Sequence, residues 1–291
     1  MKEFKDKVAV ITGAASGIGY GLSERAAKEG MKLVLADVEE GALEKAEQDI
    51  KVLGADTLAV KTDVSKATDV EALAQKTLNT FEAVHLLFNN AGVAVYNKAE
   101  REITLADWEW TLGVNLWGVI YGVHFFVPIM LKQDTECHIV NTASAAGLFT
   151  TSAGGPYAVS KYGVVALSET LFREFEQESY KIGVSVLCPG FIKTNIFEAE
   201  RNRPAELRNK PGGGVNMTNS NIQPFIRSQK KLIENGMPPQ QVADIVFDAI
   251  REKKFYILPN AEIGKPMVQA RMEDIIQGRN PTTLPFPFEL K

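Results

Sequence analysis

The sequence predicts an α/β protein built on a doubly wound parallel sheet. Short apolar runs alternate with longer helical patterns through the first two-thirds of the chain. A glycine-rich turn, Thr12 to Gly19, joins the first apolar run to the first helical pattern. Such repetition forces parallel strands covered by helices on both faces, wound right-handed. Composition agrees: 291 residues, 45% hydrophobic and 23% charged, are enough for one large core.

Val8 to Ile11 reads as the first strand, and Gly17 to Glu29 as a helix stopped by Gly30. Lys32 to Ala36 is the next strand, Glu39 to Leu53 a helix ending at Gly54, and Thr57 to Val60 the third strand. Lys66 to Thr80 is helical, and His85–Phe88, His138–Thr142 and Val184–Leu187 are three further strands. Helices near 104–131 and 156–180 separate them. Ten of the thirteen prolines lie from Pro204 onward, so 195–237 is expected to be an irregular lid on a single domain. Within the same proline-rich region a helix (Gln240 to Arg251) and a strand (Phe255 to Leu258) return, and 262–291 is expected to be an arm packed on the body or on a neighbour.

Several functions are excluded early. With 32 basic and 36 acidic residues the net charge is −4, which lacks the basic stripe of a nucleic-acid binder. Two cysteines, Cys137 and Cys188, make no disulfide framework and point to a reducing, cytoplasmic setting. The first apolar run is too short for a signal-peptide core. Thr111 to Leu131 carries no charge, yet it holds Asn115, His124 and Pro128. It is expected to be a helix covered by the core and a second subunit, with no membrane span. His85, His124 and His138 lack ligand spacing, so no metal is expected, and Trp108, Trp110 and Trp117 read as packing.

The turn Thr12-Gly13-Ala14-Ala15-Ser16-Gly17-Ile18-Gly19 suits a dinucleotide pyrophosphate at a helix N-terminus. Asp37, eighteen residues beyond Gly19, ends the second strand, where a carboxylate accepts ribose hydroxyls and repels a 2′-phosphate. No Arg or Lys stands at Ser16 or Val38, so NAD is expected over NADP. Asp63-Val64 and Asn90-Ala91-Gly92 follow two more strands, placed to line the adenosine side.

Of seven tyrosines only Tyr157 has a lysine four residues later, Lys161, one helical turn along. Ser144 precedes Tyr157 by thirteen residues. An ammonium about 4 Å from a phenol is worth about 4 kcal/mol at an effective dielectric of 20, or about three pKa units. Tyr157 is therefore expected to be the acid/base of hydride transfer, with Lys161 lowering its pKa and binding ribose. Ser144 is placed to bond the substrate oxygen. Asn115, an amide inside an apolar helix, needs a partner, and a water leading to Lys161 is the expected one.

With these residues in view, the chain resembles the short-chain dehydrogenase/reductase family of the T-G-x-x-x-G-x-G type. The match runs from residue 4 to about 200 and takes in Thr12–Gly19, Asp37, Asp63-Val64, Asn89–Gly92, Asn115, Ser144, Tyr157, Lys161 and Pro189-Gly190-Phe191-Ile192-Lys193-Thr194. The resemblance implies a Rossmann fold and an Asn115-Ser144-Tyr157-Lys161 catalytic tetrad. It also implies nicotinamide contacts from Ile192 and Thr194, and a homodimer or homotetramer packed through the two long helices. The expected substrate is a hydrophobic secondary alcohol or ketone such as a steroid, terpenoid or aryl alcohol. Its walls would be Val93, Val95, Ala146, Leu148, Phe149, Phe191, Ile196 and Phe197. The rival expectations are a 3-oxoacyl thioester reductase and a non-catalytic NAD-binding regulator.

Overall fold

The computed structural model describes residues 1–95, 100–151, 154–209 and 223–282. Seven parallel strands form one sheet in the order β3-β2-β1-β4-β5-β6-β7. They are β1 (Val8–Thr12), β2 (Lys32–Asp37), β3 (Thr57–Lys61), β4 (Leu86–Asn89), β5 (Cys137–Thr142), β6 (Ile182–Leu187) and β7 (Tyr256–Ile257). The chain lays down β1 to β3 in one direction, returns to pair β4 with β1, and then runs outward the other way. Between β1 and β4 the strand ends part, and ligands of open sheets bind there.

Each strand serves two cores, because successive side chains point to opposite faces. Ile11, Leu33, Leu35 and Phe88 pack with α1 (Gly17–Lys28), α2 (Glu40–Val52) and α8 (Pro239–Arg251). Val10, Val34, Leu87 and Ile139 pack on the other face with α3 (Ala67–Phe81), α5 (Gly118–Gln133) and α6 (Gly155–Gln177). The helix stops at Gly30 and Gly54 are as expected; both adopt left-handed backbone, where a side chain would strain the turn. At Gly21 an added Cβ would lie 2.8 Å from the Pro239 carbonyl, so α1 and α8 approach as closely as backbones allow.

The expected helix near 104–131 is interrupted. It runs as α4 (Leu105–Leu112), one π turn (Gly113–Trp117) and α5, and the π turn carries Asn115 into the interior. Among the described residues this run is long and apolar enough to cross a bilayer. Here Val119, Phe126 and Met130 lie buried in the protein.

One expectation about the C-terminal third needs correction. The segment 195–237 holds two 3₁₀ turns (Ile196–Asn202, Ala205–Leu207) and a regular helix, α7 (Gln223–Glu234), so it is not wholly irregular. The expected arm begins as the seventeen-residue helix α9 (Ala261–Gln277). The rest of the expected lid at 210–222 and the tail at 283–291 lie outside the described residues.

His138 on β5 is buried, with Nε2 2.8 Å from Ser185 Oγ, which donates to the Lys254 carbonyl at 2.7 Å. Burial pushes its pKa down to about 3. The folded state therefore needs the neutral ring. Its stabilising contribution is complete above the unfolded pKa of about 6.5 and declines as pH falls toward 3. Half-buried His85, whose Nδ1 accepts the Val8 N–H, shifts in the same direction. Lowering the pH from 6.5 to 5 should cost about 2 kcal/mol from His138 alone. Urea midpoints across this range should show the decline, and His138→Gln, which can donate without titrating, should flatten it.

Candidate active site

The carboxyl ends of β1, β2, β4, β5 and β6 open into one cavity of about 900 Å³. Its floor is the turn after β1. Gly13 and Gly17 adopt left-handed backbone, and a Cβ on Gly13 would meet the Ala91 Cα at 2.9 Å. A Cβ on Gly19 would lie 2.0 Å from the Gly13 carbonyl. Ser16 stands at the N-cap of α1 but makes no side-chain cap, so that role is open to a ligand.

Asp37 faces this turn. Its carboxylate accepts the Ala15 N–H and the Glu39 N–H, both at 3.0 Å. Burial raises its pKa, and those N–H bonds act against the rise. Asp63 is occupied by its own turn, accepting from Ser65 N and Oγ. Every expected cofactor residue lines the cavity except Gly19, which lies beneath the turn and lets it close.

At the other end, α6 starts just before Tyr157, and Glu100 accepts the Gly155 N–H at 3.1 Å. Tyr157 is hydrogen-bonded to Ser144, whose Oγ also accepts the Ala146 N–H at 3.2 Å. Lys161 Nζ is buried, donates to the Thr142 carbonyl at 2.9 Å, and stands 5.6 Å from the centre of the Tyr157 ring. Ser144, Tyr157 and Lys161 are thus brought together on one wall.

The electrostatics differ from expectation. Burial raises the Tyr157 pKa, with the Ser144 hydrogen bond acting against it. Burial also brings Lys161 down to about 8. The Lys161 ammonium donates to the Thr142 carbonyl oxygen, and the two largest causes acting on Tyr157 are its burial and the Ser144 hydrogen bond. Behind them the Cys188 thiol is pushed up to about 12 by burial and stays protonated.

Asn115 is absent from the cavity lining, and its amide bonds to protein partners. Its Oδ1 accepts the Val93 N–H at 2.8 Å, and its Nδ2 donates to the Val93 carbonyl at 2.9 Å and to Ser160 Oγ at 3.1 Å. Both donors and the acceptor are satisfied. Asn115 ties the loop after β4 to α6, whose next residue is Lys161.

Beyond Ser144 the cavity turns apolar. Seven of the eight expected wall residues line it, Phe197 being the exception. Sequence reasoning missed Trp110 on α4, Val114 on the π turn, Ile233 on α7, and Met267 and Val268 on α9. For Trp110 and Val114 a signal existed: they are four apart in the apolar run that carries Asn115. For α7 and α9 no local pattern points toward a site so distant in sequence.

The wall is anchored by a buried ion pair. Arg203 Nη2 meets Asp107 Oδ1 at 2.7 Å, with side-chain exposures of 1% and 0%. The guanidinium lies 4.4 Å from the centre of the Trp110 ring, and Asp107 closes a capping box with Thr104 at the start of α4.

The family model for short chain dehydrogenases matches residues 7–205. A crystal structure of a short chain dehydrogenase/reductase from Burkholderia phymatum in complex with NAD superposes with a TM-score of 0.92 at 44% identity. The match covers 98% of this chain and 99% of that one. The CLA biosynthesis dehydrogenase/reductase of Lactiplantibacillus plantarum is 36% identical over 279 residues, 95% of each chain. The C alpha-dehydrogenase of a Sphingobium species is 35% identical over 264 residues, 90% of this chain and 83% of that one.

The Arg203–Asp107 pair yields a stability prediction. Removing one partner leaves a buried charge uncompensated, which costs about 3–5 kcal/mol. Arg203→Ala should lower the unfolding free energy by about that amount in urea titrations. A loss under about 1 kcal/mol, typical of a solvated surface pair, would contradict it.

Proposed function

The chain belongs to the short chain dehydrogenase family, and we propose that it interconverts a hydrophobic secondary alcohol and its ketone with NAD(H), using Tyr157 as acid/base. The observation that carries the reading is one cavity with two unlike halves. A glycine-rich cradle and Asp37 line one half, apolar walls line the other, and the bonded Tyr157–Ser144 pair stands at their junction.

The cradle fits a dinucleotide on its own geometry. Side chains at Gly13 or Gly19 would collide with backbone, and the uncapped start of α1 offers amides to a pyrophosphate. Gly13, Ser16, Gly17 and Ile18 would hold the phosphates, and Asp37 the adenosine ribose. Asp63, Val64, Asn90, Ala91 and Gly92 would line the adenosine side. Pro189, Gly190, Ile192 and Thr194 would face the nicotinamide. When bound, this group supplies the hydride acceptor or donor. The relative from Burkholderia phymatum is a complex with NAD, which supports NAD over NADP, as does the buried carboxylate of Asp37.

In the oxidative direction Tyr157 takes the proton of the substrate hydroxyl as its O–H bond breaks and the carbonyl forms. In the reductive direction the phenol gives that proton back. Ser144 donates to the substrate oxygen as charge develops. Lys161 holds a positive charge in the same low-dielectric wall and would bind ribose hydroxyls. Asn115 acts as a positioning residue, through Val93 and Ser160. The segment 195–237 would be the substrate lid, and 262–291 an arm whose first helix walls the substrate end. Trp117, 48% exposed and stacked on Tyr121 at 5.5 Å, supports a homo-oligomer packed through α4, α5 and α6. Two free, buried cysteines accord with the cytoplasm.

Three measurements test this reading. Tyr157→Phe should cut turnover, followed at 340 nm against a panel of alcohols and ketones, by at least about a thousandfold while NADH still binds. A wild-type protein that binds NADH and turns over nothing would favour the regulator. The kcat/KM with NADH should exceed that with NADPH by at least about tenfold, and Asp37→Ala should narrow the gap. Trp117→Arg should shift light-scattering mass toward a smaller species.

A further inference from the structure

Glu39 has no part in the roles assigned above, and Arg201 and Asn202 enter them only as members of the 195–237 segment, yet all three line the cavity. Glu39 lies two residues past Asp37, at the rim where the adenosine ribose would sit. Arg201 and Asn202 end the 3₁₀ turn Ile196–Asn202, on the far side of the cleft in sequence. Arg201 Nη2 meets Glu39 Oε1 at 2.6 Å, and Asn202 Nδ2 donates to the same oxygen at 2.9 Å. Arg201 Nη1 also donates to the Glu198 carbonyl at 2.9 Å, so one guanidinium both ends the turn and ties it across. The Arg201 hydrogen bond is the largest cause of the lowered Glu39 pKa.

The path of the chain gives these contacts meaning. At one end Thr194 presses on the glycine turn: a Cβ on Gly17 would lie 3.1 Å from its methyl. At the other end Arg201 and Asn202 reach the rim beside Asp37. Residues 194–202 therefore pass from the phosphate-facing turn to the ribose-facing acid, across the opening. The Glu39 N–H donates to Asp37 Oδ1 at 3.0 Å while its carboxylate holds the strap. One residue thus contacts both the ribose ligand and the cover.

We propose that Glu39, Arg201 and Asn202 form a latch that closes this strap over the dinucleotide and limits how fast the cofactor leaves. The proposal rests on the NAD(H) reading above. Two neighbouring arginines divide the work. Arg203–Asp107 is fully enclosed and stays fixed, whereas the Arg201 and Glu39 side chains are 36% and 31% exposed. Water can compete for the latch but not for the anchor. The strap swings on Arg203 and opens at Glu39.

The test is stopped-flow release of NADH, followed by its fluorescence after mixing with excess NAD. Arg201→Gln and Glu39→Gln should each speed release about two- to fivefold, the size expected for a half-exposed ion pair. The double variant should be no faster than the faster single, because both remove the same contact. Arg201→Lys, which keeps charge but loses the two-pronged reach, should fall between. Release from the wild type should quicken as salt rises, and release from the variants should not. Wild type and variants releasing NADH at one rate, or variants whose effects simply add, would overturn the latch while leaving the cofactor reading intact. A wild type that binds no NADH overturns both.

Discussion

One buried hydroxyl holds the site open. Thr12 Oγ1 accepts the N–H groups of Asn90 and Ala91, at 2.9 and 3.1 Å, and donates to the Phe88 carbonyl. Asn90 returns the contact through Nδ2 to the Thr12 carbonyl. The β1–β4 ladder is short, pairing Ala9 to Ile11 with Leu86 to Phe88. Past it the strands separate, because their connections leave for opposite halves of the sheet. Backbone amides at such a parting lack ladder partners and are costly to bury bare. Thr12 supplies the partners from its side chain, so the strand ends part at a set width and the glycine turn keeps its floor.

Much of this was legible in the sequence because it is local. Strand alternation, glycine stops and the Thr12–Gly19 turn each depend on residues within a dozen positions of one another. The placing of Ser144, Tyr157 and Lys161 on one wall followed from a strand end and one helical turn. What was not legible is long-range or irregular. The π turn at Gly113–Trp117 carries Asn115 inward, where it bonds to Val93 and Ser160. No periodicity announces a one-residue insertion in an otherwise apolar helix. Met267 and Val268 reach the cavity only because α9 folds back over a sheet built from residues far earlier in the chain. The prolines of that region pointed to irregular structure, yet Pro266 sits inside α9.

Burial at the reaction wall moves Tyr157 and Lys161 in opposite directions, each toward its neutral form. The same desolvation that makes the phenol a poor base in isolation strengthens any charge brought beside it. A low-dielectric wall holding a phenol and an ammonium bonded to the Thr142 carbonyl is therefore poised for a ligand whose hydroxyls can bridge the two. The Lys161 nitrogen stands 5.6 Å from the Tyr157 ring centre.

The strap across the cleft extends the same reasoning. Residues 201 and 203 are both arginine and both ion-paired, yet only one pair is dry. A dry pair is retained because breaking it strands a charge, whereas a wet one exchanges its partner for water at little cost. Placing the two a single residue apart gives a short segment one fixed end and one labile end. The fixed end stacks on Trp110 and helps shape the apolar wall; the labile end meets the residue whose N–H orients Asp37. Both halves of the cavity are thereby touched by one stretch of chain. Residues 199 to 203 run between the two halves as one continuous stretch.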